Sequence, residues 1–305
     1  MKYSGIGGQA VIEGVMMRNG DDYAIAVRKP DKEIAIEKKK VTGPGINHWS
    51  RKIPILRGVI SFVDSLVLGM GALSTSSAYF EEEEGSGKDE KKSEKSEKLE
   101  NILILVGSFA IAIVIFMFIP FYLSLLFKRF GFGDMLITLI EGIIRVIIFL
   151  AYMFLISFLE DIKRTYMYHG AEHKCINCIE SGLELNVENV RKSSRFHKRC
   201  GTSFLFVVVI VSIIVFMFIR VDSRILRLVL RFLLIPVIAG ISYEFIRLAG
   251  RYDNPVVNLL SLPGMWIQRL STAEPDDDMI RVGIASVEAV FDWREFLSED
   301  SLKDD

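Results

Sequence analysis

The sequence predicts a mainly α integral membrane protein of about four transmembrane helices. A small N-terminal cytoplasmic β element precedes the bundle and a helical C-terminal tail follows it. Three observations lead there. Half of the 305 residues are hydrophobic although a quarter are charged, and the mean hydropathy is positive at +0.34. Both hold only if charged and apolar residues are segregated along the chain. Beyond residue 100 there are four long apolar runs, and a bilayer core needs about 20 residues of helix. Ahead of residue 52 the apolar positions instead alternate with the period of a strand.

Residues 1–52 read as a small cytoplasmic β-rich segment. Ile25 and Val27 alternate in 23–29, Ile34 and Ile36 in 33–41, and Pro30-Asp31-Lys32 between them is a turn sequence. The run 9–18 is mostly apolar but carries Glu13 and Gly14. Glu13 is expected as a charge at a sheet edge, or within reach of a metal site. The glycine-rich start, Gly5-Ile6-Gly7-Gly8, matches no phosphate-loop pattern. With no apolar core at the N-terminus, a signal peptide is not expected.

Residues 53–80 are apolar but carry Arg57, Asp64 and many small residues, and are expected as an interfacial or membrane-associated helix. Residues 81–100 are almost wholly charged or small and read as a disordered linker. A four-span bundle is expected over 101–249. Its runs are 102–127, interrupted by Pro120; 135–159; 204–219; and 232–246, the last within a span that starts near Ile225. Arg227 and Arg231 early in that span are expected to snorkel to the headgroups. Glu141 and Arg145, four apart in the second run, are expected to pair inside the bundle, or to mark an ion path. The loop 160–203 joins the second and third spans. It carries Lys163, Arg164, Arg191, Lys192, Arg195, Lys198 and Arg199, so by the positive-inside rule its side is cytoplasmic. The N- and C-termini fall on the same side. The cytoplasmic tail, 250–305, holds an amphipathic interfacial stretch near Trp266. Within it, Pro275-Asp276-Asp277-Asp278 is a helix start in preference to a cation site.

Composition excludes some partners and favours others. The formal net charge is −1, which offers no overall basic field for nucleic acid. The lipid bilayer is the expected partner, and oligomeric state is not encoded in these features. Three cysteines cannot all pair within one chain, and they read as thiols in a reducing compartment.

The chemistry concentrates in one window. Three of the four histidines and all three cysteines lie between His169 and Cys200. His169-Gly170-Ala171-Glu172-His173 is an H-x-x-E-H pattern. On a helix, positions four apart stack on one face, so both imidazoles can share a zinc ion while Glu172 takes a proton from an attacking water. At this motif alone the chain resembles the inverzincin peptidases. His197 is the first candidate for a third ligand, with Cys200 and Glu244 as others; Glu244 also suits an ion pair with Arg247 one turn on. Arg199, or Arg195, can steady a developing oxyanion or an anionic headgroup. Two rival arrangements use the same window. Cys175-x-x-Cys178 with His197-x-x-Cys200 has the spacing of a closed, structural zinc site. Cys200 beside His197, with Lys198 and Arg199 adjacent, suits a thiol nucleophile.

The segments Gly7-Gly8-Gln9-Ala10-Val11-Ile12-Glu13-Gly14-Val15-Met16-Met17-Arg18, Tyr168-His169-Gly170-Ala171-Glu172-His173-Lys174, Arg199-Cys200-Gly201-Thr202-Ser203-Phe204 and Glu274-Pro275-Asp276-Asp277 together resemble the YqhQ-like family. That is a bacterial family of multipass membrane proteins with a domain of unknown function, labelled predicted metal-dependent enzymes. The resemblance implies a multipass protein of the bacterial inner membrane and carries no assigned reaction or catalytic residue. Cys175 and Cys178 lie outside its signature.

The expected function is that of a zinc-dependent hydrolase at the cytoplasmic membrane interface, acting on a membrane peptide or a lipid. Glu172 and Arg199 are its catalytic candidates, and His169, His173, His197 and Cys200 its metal candidates. The alternatives are a non-catalytic scaffold with a structural zinc site and an ion or solute transporter.

Overall fold

Four strands, β1 (Gly7–Val11), β2 (Gly14–Asn19), β3 (Asp22–Arg28) and β4 (Ile34–Lys40), form an antiparallel meander in the order β1-β2-β3-β4. They open a computed structural model that describes residues 3–41, 52–84, 94–219, 221, 223–252 and 254–301. The sequence expectation of a small N-terminal sheet holds, with two strands more than the alternation marked. The apolar run 9–18 is two strands, folded back on each other at Ile12-Glu13. Val11 pairs with Gly14, and Gly8 with Met17.

Both faces of the sheet are covered, which is why β2 and β3 read as continuous apolar runs. Val15, Met17 and Ala26 point to one face and pack against α5 (Glu160–Glu180) and α11 (Asp277–Val290). Val11, Met16, Ile25 and Val27 point to the other and pack against Ala72, Leu68, Tyr79 and Phe80 of α1 (Leu56–Glu84).

The first half of α1 instead crosses α9 (Ile235–Arg251), with Gly58 against Gly240. A Cβ on Gly58 would lie 2.8 Å from the Gly240 carbonyl oxygen, so only glycine permits this crossing. Arg57 donates twice to the Glu244 carboxylate beside it. Arg247, the partner expected for Glu244, approaches it only to 3.8 Å. Glu244 is therefore an interhelix anchor and lies outside the group of candidate metal ligands.

By length and composition three helices are long and apolar enough to cross a membrane: Leu56–Phe80, Val106–Phe130 and Asp134–Ile156. A fourth arises if the pair α8 (Arg224–Leu233) and α9, bent by 41° ahead of Pro236, is one span. The chain is a multipass membrane protein. The first run is α2 (Glu94–Ile113), a π-helical turn over Val114–Phe118, and α3 (Ile119–Leu125). Pro120 has no N–H to give the Phe116 carbonyl, and Arg145 of α4 (Asp134–Ile156) supplies a donor to it at 3.0 Å. The third run, α7 (Gly201–Met217), has only 17 residues, about 26 Å of helix.

Glu141 and Arg145 pair as expected, at 2.7 Å and buried. Arg231 departs from expectation. It is 2 % exposed and turns inward, with Nη1 2.6 Å from Glu141. Snorkelling is unavailable to it because its side chain lies between the rings of Phe121 and Phe216.

Both ends of the charged segment 81–100 are helical, since α1 runs to Glu84 and α2 starts at Glu94. The expected linker residues 85–93, the stretch 42–51, positions 220 and 222 of the short turn between the last two runs, and 302–305 of the tail lie outside the described residues.

Two tail expectations resolve clearly. Asp276 caps α11, its carboxylate accepting from the Met279 N–H at 2.8 Å. Asp277 and Asp278 pair with Arg191 and Arg28, so the three aspartates are spoken for by protein groups. The stretch around Trp266 is α10 (Pro255–Ser271). It buries Ser261, Gly264, Gln268 and Ser271 together with Ile267, which packs on Phe149 and Met153, and exposes Val256, Leu259, Leu260 and Trp266. Its apolar side faces outward and its small and polar side faces α7 and α4, the reverse of a helix resting on a soluble core. The short helices α6 (Val187–Lys192) and α12 (Trp293–Ser301) complete the chain.

Candidate metal centre

The site is built on one helix face. On α5, His169, His173, Asn177 and Glu180 recur at spacings of four, four and three, so they form one stripe. The returning loop 193–200 lies along it. The Asn177 side-chain amide donates to the carbonyls of Ser194 (2.6 Å) and Phe196 (3.0 Å). Lys174, beside the stripe and 4 % exposed, donates to the carbonyls of Arg191 and Ser193, both at 2.9 Å. Gln268 of α10 clamps the loop from outside, accepting from the His197 N–H at 2.8 Å and donating to the His197 carbonyl at 2.7 Å.

The same contacts fix the two imidazoles. His169 Nδ1 lies 2.8 Å from the Ser271 carbonyl, and His173 Nδ1 lies 2.6 Å from the Arg195 carbonyl. A carbonyl can only accept, so each Nδ1 carries the hydrogen and, in the neutral ring, each Nε2 presents a lone pair. Metal-binding histidines are oriented in this way. Cys200, the N-cap of α7, brings its Sγ to 3.3 Å from His169 Nε2. Ligand atoms of His169, His173 and Cys200 all lie within 4.8 Å of one another, a group that can hold a metal ion. The donor set fits the ion: two imidazole nitrogens and a thiolate suit zinc.

Electrostatics in the group favour a thiolate. Burial opposes charge on Cys200, but His169 and His173 beside it outweigh burial and hold the thiol well below its ordinary range. Reciprocally, burial would lower the pKa of His169, yet Cys200 and Glu172 raise it to about 9.

Glu172 is 4 % exposed and sits between the two rings, with Oε2 3.9 Å from His169 Nε2 and 3.8 Å from His173 Nε2. Gly8 of β1 lies directly on it. A Cβ there would stand 2.8 Å from Glu172 Cγ and 2.7 Å from the Met16 carbonyl oxygen, which explains a glycine in that strand. Glu172 also lines a cavity of about 590 Å³ between the edge of β1, α1 and α9. His169, His173 and Cys200 do not line it, so the cavity meets the ligand group through Glu172.

The other candidates fall elsewhere. His197 Nε2 faces Glu180 at 3.5 Å, and its ring centre is 5.6 Å from that of His173. Glu180 also receives Arg199 at 2.5 Å and the Ser4 hydroxyl at 2.7 Å. Burial would raise the Glu180 pKa, but His197, Arg199 and Ser4 together lower it to about 2. Arg199 in addition stacks on Tyr3, its Cζ 4.3 Å from the ring centre. Arg195 donates to the Thr272 carbonyl and lies 3.6 Å from Glu274. The closed four-ligand arrangement is not assembled. Cys175 is wholly buried against Gly283 of α11, and Cys178 points at the Glu184 carbonyl.

One residue matters more than the sequence suggested. Glu13 occupies the left-handed region, φ 47°, which costs a side-chain-bearing residue about 1 kcal/mol or more. Its carboxylate takes two bonds from Arg164 and one from the Tyr168 hydroxyl. The hairpin tip is thereby tied to α5 one residue before His169. A glutamate before Gly14 in an apolar run was the available signal; its partner 151 residues away was not.

The comparisons with known proteins give a family and are silent on chemistry. The sequence profile of DUF1385, described as a protein of unknown function, matches residues 53–293. The uncharacterized protein YqhQ of Bacillus subtilis (strain 168) is 37% identical over 304 residues, covering 97% of this chain and 95% of that protein. No solved structure matches the chain. With a profile match across most of its length and a full-length relative at this identity, the chain belongs to the DUF1385 family.

Proposed function

We propose that the protein is a zinc-dependent hydrolase of the cytoplasmic membrane interface, with His169, His173 and Cys200 as ligands and Glu172 as general base. The observation that carries this reading is the convergence of three ligand atoms within 4.8 Å, with a buried carboxylate 3.8–3.9 Å from both imidazoles. Three protein ligands with a position left over is the arrangement of catalytic zinc, whereas structural zinc is closed by four. When bound, the ion supplies Lewis acidity, polarising a substrate oxygen and acidifying a neighbouring water.

The remaining work falls to the chain. The carbonyls of Ser271 and Arg195 hold both rings with Nε2 inward. Gly8 and the β1–β2 hairpin close over Glu172 and limit its solvent. Glu172 removes the proton from the attacking water and can return it to the leaving group. Arg199 belongs to the wall of the adjoining cavity; it reaches an anionic substrate group only by releasing Glu180. His197 stays outside the ligand set and serves the Glu180 cluster.

Sidedness follows from contacts and counting. The sheet packs on α5, so both lie on one side of the membrane. Between them in sequence come α1, the α2–α3 run and α4. If the α2–α3 run and α4 each cross, α1 makes no net crossing, in keeping with its second half lying on the sheet. The lysines and arginines of the loop 160–203 support a cytoplasmic position for that shared side.

Glu172→Gln tests the catalytic assignment. It is expected to keep fold and metal and to abolish complementation of a deletion strain. Full complementation would favour a non-catalytic scaffold whose metal orders the loop.

A further inference from the structure

The cavity beside Glu172 has a chemical character of its own. α1 lines it with Arg57, Ser61, Asp64, Ser65 and Leu68, one face of the helix at spacings of three and four. The opposite face carries Val63, Leu66, Val67 and Met70, each about half exposed. A polar stripe on an otherwise apolar membrane helix is costly unless it meets water or a polar ligand.

Four arginines from four separate segments line the cavity, Arg18, Arg57, Arg199 and Arg247, beside the carboxylates Glu172 and Asp64. Two of the four are engaged, Arg57 by Glu244 and Arg199 by Glu180. The other two keep donors in hand. Arg18 gives its Nε to the Gly20 carbonyl, and its terminal nitrogens have no hydrogen bond among the described residues. Arg247 comes no closer than 3.8 Å to Glu244, whose oxygens Arg57 already occupies. A guanidinium offers five donors in a fork that matches phosphate.

Depth decides the source of such a phosphate. The cavity is walled on one side by the sheet, which lies outside the membrane in the sidedness proposed above, and on the other by α1 and α9 near their Gly58–Gly240 crossing. It therefore straddles the level of the headgroups. We infer that this cavity binds the phosphate of an anionic membrane lipid, held between Arg18 and Arg247 with its headgroup beside Glu172. This names the substrate class for the site proposed above and rests on that reading.

The test uses the full-length protein in maltoside detergent, titrated separately with dihexanoyl phosphatidylglycerol, dihexanoyl phosphatidylcholine and inorganic phosphate. Binding is read by tryptophan fluorescence, and zinc content is measured on the same samples. Phosphatidylglycerol is expected to bind more tightly than the other two. The double variant Arg18→Gln/Arg247→Gln is expected to weaken it on the order of tenfold or more while keeping zinc. His169→Ala is expected to lose zinc and keep the lipid. Equal affinity for inorganic phosphate would overturn the lipid source. Unchanged lipid affinity in the double variant would overturn the inference while leaving the metal reading intact. Displacement of the lipid by a neutral extended peptide, with the same peptide affinity in the double variant, would overturn it in favour of a polypeptide on the β1 edge. Lipid binding as described in a protein that holds no zinc would sink the metal reading and spare the binding site.

Discussion

The Nδ1–H of His169 is held by the carbonyl of Ser271 at 2.8 Å, although 102 residues separate them. The strand of chain that supplies this carbonyl runs close along α5. The next residues, Thr272 and Ala273, follow it so tightly that a Cβ on Gly170 would lie 2.1 Å from the Ala273 oxygen. Gly170 weakens α5 as a helix, and this contact is what requires it.

Gly170→Ala is therefore expected to act against helix propensity. In an unobstructed helix the change would stabilise by about 1 kcal/mol. Here overpacking against backbone should cost about 1–3 kcal/mol net and move Ser271 off His169. A thermal melt in detergent checks the first effect and zinc content the second. A more stable protein with unchanged zinc would contradict the close packing.

Glu180 should give the protein an acid-sensitive step. Its ordinary pKa of 4.5 falls to about 2 in the fold, because His197, Arg199 and Ser4 outweigh its burial. A depressed carboxyl stabilises the fold fully above its unfolded pKa, and that contribution is lost as pH falls toward the folded value. The window is thus roughly pH 4.5 down to 2, and the contribution at neutral pH is on the order of 3 kcal/mol. Melting temperature against pH should fall through this window in the wild type. In Glu180→Gln it should start lower at neutral pH and fall less.

Within the bundle, Glu141 answers two buried arginines, Arg145 and Arg231. Glu141→Gln would leave both uncompensated, which should cost about 3–5 kcal/mol. Arg231→Met should cost less. It leaves a one-to-one pair and removes a buried Nε that has no hydrogen-bond partner among the described residues. Unfolding in denaturant ranks the two variants. A Glu141→Gln protein that is fully stable yet inactive would favour the transporter reading.

The sequence disclosed local features well and distant partners poorly. Period-2 alternation found β3 and β4, and the acidic triplet at Asp276 found the start of α11, because both signals are local. The H-x-x-E-H spacing put His169 and His173 on one helix face for the same reason. It could not choose between His197 and Cys200, since that depends on how the loop 193–200 lies against α5. Asn177, Lys174 and Gln268 set that path, and none belongs to a metal motif. Arg231 was misjudged as snorkelling because nothing in its own neighbourhood reveals Glu141, 90 residues earlier. Glu13 reads as a charge at a sheet edge and Gly8 as part of a glycine-rich start; the partners that give them meaning, Arg164 and Glu172, lie on a distant helix.

The measurement closest to the central claim is zinc per chain in the purified protein, by elemental analysis, across a short variant series. About one zinc per chain is expected in the wild type and in Cys175→Ser, Cys178→Ser, His197→Ala and Glu172→Gln, with near-complete loss in His169→Ala, His173→Ala and Cys200→Ser. Absence of stoichiometric metal from the wild type, or its loss in Cys178→Ser with retention in His169→Ala, would contradict the account.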